Sequence, residues 1–291
     1  MVNDTSRLFR SLLLMAMLLS WSQALTAAES KKEDRPMSLA FVLLAEPRLP
    51  TGEAIEKEFP AFAEKGQQLK YQKSTTAEPG KETLTFDLDP CGFAIVGLLR
   101  APIPNNEADE AARFSFSAIY SGWKLPRHKA HLLVTLANIS TTEPVTKLSC
   151  MTALLAAVSK ATGAVGIYWG DASATHDPTT FQAMAQRPQL APRLTLWTGV
   201  SIAREPSGRL SLLSLGMQQL DLPDLLLTAP AKTDMEEVLG TFFDLLSYVA
   251  QRGEPLPEGD TVGREDGDRV PVHYVPSPLD KNKQVWRIEL K

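Results

Sequence analysis

Three residues in the stretch "AVGIYWGDASATHDPTTFQAMAQ" (164–186), Asp171, His176 and Asp177, are of the types that proton chemistry uses. A histidine held by a carboxylate is the usual general base, and the same side chains would serve as metal ligands. Their order also has a purely local explanation. Gly170 and Asp171 end an apolar segment, and Asp177 followed by Pro178 reads as a helix N-cap with proline at the first helical position. A capping carboxylate spends its acceptor capacity on backbone N–H groups. The loop reading explains two of the three residues and is preferred, with a hydrolase or metal-dependent enzyme using Asp171, His176 and Asp177 as the alternative.

His128 and His131 in "RHKAH" are a second candidate pair. Zinc-binding histidines on a helix favour a spacing of four, so a spacing of three at the entry to a strand matches poorly. The other two histidines, His176 and His273, fall in separate elements, and no metal site is assigned. Nucleophilic hydrolysis lacks a G-x-S-x-G elbow, and nucleotide binding lacks both G-x-G-x-x-G and the P-loop, so no cofactor is expected. "REDGD" (264–268) does not keep the spacing of a calcium-binding loop and reads as a solvated hairpin.

Aromatic residues near element edges remain. Tyr168, Trp169 and Trp197, with Trp286, would line a groove for a peptide or small ligand, although large aromatics more often pack the core, the reading preferred here. Cys91 and Cys150 are the only cysteines; they are either bridged or two small buried apolar side chains.

The elements that must position these residues follow from periodicity and punctuation. "SLAFVLLA" (38–45) is a continuous apolar run of strand length, the pattern of a strand covered on both faces. "GEAIEKEFPAFAEKG" has helical spacing with Pro60 as a kink. "TLTFDL" alternates, with Leu84, Phe86 and Leu88 on one face, and the turn "DPCG" leads into the buried-looking "FAIVGLL". "NEADEAARFSFSAIYSG" reads as one helix and "HLLVTLA" as a strand. The order β, α, β, β, α, β over 37–137 predicts a ferredoxin-like split βαβ arrangement.

In the second half, "TKLSCMTALLAAVSKATG" predicts a helix capped by Thr146, with Leu148, Met151, Leu154, Leu155 and Val158 on one face. "AVGIYW" reads as a strand and "DPTTFQAMAQ" as a short helix. "RLTLWTGVSIA" and "RLSLLSLG" read as a hairpin across "REPSG". "TDMEEVLGTFFDLLSYVAQRG" predicts a long helix with a Thr233/Glu236 capping box and a stripe of Met235, Val238, Phe242, Leu245 and Val249. Two strands, "VPVHYV" and "QVWRIEL", finish the chain. The class is α+β, a single compact unit over 37–291 built from two halves, 37–137 and 146–291, joined through "NISTTEPV".

"GIYWGDAS" with "DPTTF", then "LGMQQLDLPDL", "EEVLGTFFDLLSYVAQRG" and "GDTVG", resemble in their order the bacterial family described as domain of unknown function 4261. The resemblance covers about residues 37–290, with its best motifs from 164 onwards. It implies an α+β fold and no established activity or catalytic residue.

Residues 1–28 read differently from the rest. Arg7 and Arg10 precede an apolar run from Leu12 to Leu19 and then small residues, the three-part pattern of a secretory signal peptide. Cleavage after Ala24 fits, with Ala28 as the alternative, and the apolar run is too short to be a stable membrane anchor. Residues 29–36, "ESKKEDRP", form a charged leader. Removal of 1–28 takes away Asp4, Arg7 and Arg10, so Lys+Arg falls from 30 to 28, Asp+Glu from 34 to 33, and net charge from -4 to -5. A mildly acidic chain without a basic stripe is a poor nucleic-acid ligand. The expectation is an exported, periplasmic or extracellular protein that binds a protein partner or small molecule without catalysing a reaction.

Overall fold

The computed structural model describes residues 37–73, 82–137, 142–263 and 269–291. The expected signal peptide and leader, the "REDGD" hairpin and the first half of the "NISTTEPV" connection lie outside them. Among the described residues the chain forms strands β1 (Met37–Leu44), β2 (Gln68–Gln72), β3 (Thr83–Asp89), β4 (Gly92–Leu99), β5 (Ala130–Ala137), β6 (Gly166–Trp169) and β7 (Ala174–His176). These seven form one sheet in the order β2-β3-β4-β5-β1-β6-β7. Helices α1 (Gly52–Glu58), α2 (Glu107–Ala112) and α3 (Phe116–Ser121) sit in its connections, and α4 (Pro144–Thr162) follows β5. Then come α5 (Pro178–Ala185) and α6 (Leu190–Trp197), and strands β8 (Gly199–Arg204), β9 (Leu210–Leu215) and β10 (Leu225–Ala229). Helix α7 (Met235–Arg252), the short ribbon β11 (Thr261–Val262) and β12 (Val270–Pro271), and strands β13 (His273–Pro276) and β14 (Gln284–Glu289) complete the chain. The second sheet runs β13-β14-β10-β9-β8, with only β10 and β14 parallel.

The α+β class holds, but the ferredoxin-like order does not. That arrangement puts the first strand between the third and the fourth. Here β4 and β5 pair directly with each other, and β1 lies on the far side of β5, between it and β6. The reason lies in residues 68–72, which had no strand assigned from sequence. They form β2 at the far edge, paired to β3, so the connection through α1 crosses the width of the sheet before the chain turns back. The single helix expected between β4 and β5 is two, because Ser115 caps a new start with its hydroxyl accepting from the Ala118 N–H at 3.1 Å. "RLTLW" is the end of α6, not strand; the chain becomes extended only at Thr198.

Helix α4 departs most from its expected amphipathic stripe. Residues Leu148 through Ser159 are all buried. Alanines 153, 156 and 157 let neighbours close in on the face opposite the leucines, so the helix is enclosed on every side. Its N-cap is Glu143 with Pro144 in the first turn, not Thr146, and Gly163 ends it at φ 63°. Cys150 is bonded to Cys91 in the β3–β4 turn, with Cα atoms 6.6 Å apart and 59 residues of separation. Closing a loop of that length contributes about 4 kcal/mol in the chain-entropy account. In α7 the cap is Asp234, one residue from the expected Thr233; its Oδ1 accepts from Glu236 N at 2.9 Å and Glu237 N at 3.3 Å.

Two glycines of the second half sit directly against opposing backbone. A Cβ on Gly199 would lie 2.4 Å from the Ala172 carbonyl oxygen, and one on Gly216, at φ 117°, would lie 2.8 Å from the Trp197 oxygen. Gly216→Ala is therefore expected to destabilise by several times the ~1 kcal/mol scale of an ordinary helix glycine. Gly240→Ala, in α7 with nothing within 4 Å of the new methyl, is expected to stabilise by about 1 kcal/mol. Urea unfolding of the two variants beside the wild type checks both signs.

Candidate functional site

Strands β6 and β7 carry the Asp171/His176/Asp177 stretch. In their register Ile167 pairs with His176, and directly opposed residues share a face. Ile167 belongs to the core, so the His176 side chain is drawn inward as well, and both are fully buried. His176 Nε2 donates to the Leu196 carbonyl at 3.0 Å, which places the proton on that nitrogen. Nδ1 is buried and has no hydrogen-bond partner among the described residues, and the ring lies 5.7 Å from that of Phe181. Burial pushes the His176 pKa from 6.5 down to about 4, opposed in part by the bond to Leu196. Such an imidazole stays neutral near pH 7, and its burial keeps it from a substrate.

The two aspartates work elsewhere. Asp177 Oδ2 accepts from both the backbone N–H and the hydroxyl of Thr180 at 2.8 Å, making it the N-cap of α5. Asp171 lies in the 3-10 turn 170–172, where its carbonyl accepts from Gln218 Nε2 at 3.2 Å. The stretch is therefore a joint: its turn packs against the turn 217–220, and its ends start and cap neighbouring elements.

The aromatic candidates form the same joint. Trp169 and Trp197 are buried rather than lining a groove. Trp169 Nε1 donates to Gln219 Oε1 at 2.9 Å, Gln219 Nε2 donates to the Trp197 carbonyl at 3.1 Å, and Trp197 Nε1 donates to Thr152 Oγ1 at 2.8 Å. A hydrogen-bonded chain thus runs from β6 through the 217–220 turn to α4. Trp286 is buried in the same core. Tyr168 is half-buried, stacked on Phe41 at 5.6 Å, and burial raises its pKa.

His128 and His131 are also spent on the backbone. His128 Nε2 accepts from Ile103 N–H at 3.1 Å, and His131 Nδ1 lies 2.8 Å from the Ala101 carbonyl. Burial lowers both pKa values. Among the described residues no group of three His, Cys, Asp or Glu side chains is placed to hold a metal ion.

Sequence reading missed the concave surfaces. One of about 490 Å³ lies between α7 and the C-terminal strands, with Glu237, Thr241, Asp244 and Tyr248 along the helix and Val270 and Ile288 among the apolar residues facing them. The signal was present: 237, 241, 244 and 248 fall at helical spacing beside the buried stripe of α7. A second hollow of similar volume lies beside α2 and α3, lined by Asp109, Arg113, Trp123 and Lys124 among others.

Fold and site together define an α+β protein whose conspicuous polar motif is structural. The family model described as Domain of unknown function (DUF4261) matches residues 213–289, so the resemblance seen in the sequence is shown over that segment, from β9 to β14. Searches of the curated proteins and of the solved structures each return no match.

Because the folded pKa of His176 is depressed, the native state binds fewer protons than the unfolded state between pH 6.5 and about 4. Stability is then fully present above 6.5 and is lost as pH falls through that window, by about 3 kcal/mol for this group. His128 and His131 act in the same direction. Urea unfolding from pH 7.5 to 4 should show His176→Gln losing part of the wild-type slope; identical slopes would contradict a buried neutral His176.

Proposed function

We propose that the chain is an exported protein that acts by binding, with the groove between α7 and the C-terminal strands receiving the ligand. Export is supported by the Arg7/Arg10 and Leu12–Leu19 pattern. Among the described residues no helix is long and apolar enough to cross a membrane. The observation that carries the binding reading is the groove itself, built almost wholly by the segment the family model matches. Its volume is in the range of small-molecule sites, and it combines an apolar floor with a few polar groups on one helix face. Glu237 and Asp244 outnumber the one cationic residue of the lining, Lys291, which points to a neutral or cationic organic ligand with an apolar body.

Ligand-observed NMR with neutral, cationic and anionic aromatic fragments tests this on the wild type and on Thr241→Arg, which fills the groove. Neutral and cationic fragments should bind, and the variant should weaken them at least about tenfold, a loss of roughly 1.4 kcal/mol. Equal binding to both proteins, or a preference for anions, contradicts the proposal. So does a turnover activity abolished by changing His176 or Asp177.

A further inference from the structure

Strand β4 ends at Leu99 and α2 begins at Glu107, and the connection between them reads "RAPIPNN" (100–106). Proline has no N–H, so Pro102 and Pro104 leave Ile103 as the only backbone donor over residues 102–104. That N–H is given to His128 Nε2 at 3.1 Å. Two residues earlier, the Ala101 carbonyl meets His131 Nδ1 at 2.8 Å. The connection is thus held by two buried histidines at the entry to β5. The Ile103 side chain is buried as well, in one apolar cluster with Leu43 and Ala108.

The two bonds respond differently to a proton. A neutral imidazole donates from one nitrogen and accepts at the other, whereas the charged ring only donates. His131 Nδ1 faces a carbonyl oxygen, so it donates and goes on donating when the ring is charged. His128 Nε2 faces an N–H, so it accepts, and protonation would set two donors against each other. His128 is faced by Asp109 from α2 and by His131 from β5, and is flanked by Arg127 and by Lys129, which pairs with Glu46. Burial lowers the His128 pKa, and Asp109 opposes that in part. The far end of the connection favours release, because Asn105 and Asn106 are consecutive left-handed residues with φ of 55° and 57°. Beyond them the chain is anchored again, with Thr175 Oγ1 donating to the Ala108 carbonyl at 2.6 Å. The part free to move is therefore 100–106.

We propose that His128 is a pH-sensitive latch: neutral, it holds residues 100–106 over the end of β1, and protonated, it releases them. Because the closed state depresses this pKa, closure is fully present above the ordinary value of 6.5 and is lost as pH falls below it. For the one proton taken up, the opening equilibrium rises by at most about tenfold per pH unit. Opening uncovers Leu43 and Ala108, both fully buried in the closed state, so the chain presents this apolar end of the sheet only in acid. The latch is separate from the loss of global stability set by His176, whose ring is bonded to α6.

Amide hydrogen exchange at Ile103, followed by NMR from pH 7.5 to 5, tests this on the wild type and on His128→Gln, whose side-chain carbonyl can accept the same N–H without titrating. Each rate is divided by that of the unfolded chain at the same pH to give an opening constant. In the wild type the Ile103 constant should rise as pH falls below 6.5, while opening at a lower free energy than residues 148–159 of α4 at every pH. His128→Gln should keep the protection and lose most of the pH response. Asp109→Asn, which leaves the histidine in place, serves if His128→Gln does not fold; without the opposing carboxylate, Ile103 should open further at pH 5 than in the wild type. An opening constant that does not change with pH overturns the proposal, as does a response left unaltered by these substitutions. Exchange of Ile103 only together with residues 148–159 also overturns it, since the acid effect would then be global unfolding.

Discussion

Everything else in the structure is arranged to enclose one helix. Twelve consecutive residues of α4 are withdrawn from water, so this segment needs cover on all sides. The first sheet supplies one side through β1, α1 a second, α5 a third, and the turn 217–220 of the second half a fourth. The polar side chains of α4 are accounted for as well. Ser149 takes a hydrogen bond from Arg193, Thr152 one from Trp197, and Ser159 one from Gln182. Buried polar groups left unmet would each cost about 1–3 kcal/mol, and these contacts fix which neighbour occupies which side.

That constraint explains why the motif most like an active site holds its histidine in the core. The chain leaves α4, runs outward along β6, and must return at once to place α5 and α6 over the helix. Residues 170–177 make that reversal, and its tightness draws His176 into the core and sets Asp177 at a helix start. The same closeness accounts for Gly199 and Gly216, where any side chain would strike the backbone of the opposing turn. A general base needs access and a proton acceptor of suitable basicity. Burial gives His176 neither.

Local features were legible in the sequence where one residue type has one physical use. Asp177-Pro178 as a cap, Gly163 as a stop and the alternation of β3 are of this kind; of the expected α7 stripe Val238, Phe242 and Val249 are buried, while Met235 is exposed and Leu245 half-buried. The pairing of β1 was not legible, because it depends on β2, a short strand whose "QLKYQ" lacks a strong apolar signal. The all-round burial of α4 was hidden by its alanines, which are compatible with either a surface or a close contact. Strand β10, "LLLTA", is short, apolar and non-periodic, so only its partners β9 and β14 reveal it. The groove of α7 was readable as a spacing but not as a surface, since its far wall comes from Val262, Val270, Ile288 and Leu290, remote in the chain from the helix positions they face.

The central claim is that the 170–177 stretch belongs to the same cooperative unit as α4 and is no mobile catalytic loop. Native-state hydrogen exchange reads this directly, residue by residue. The account predicts that the amide of His176, held in the β6–β7 pairing, exchanges only through the global opening that also releases residues 148–159 of α4. Exchange of His176 through a local opening far below the global unfolding free energy would contradict it, and would return that histidine to the list of groups a substrate can reach.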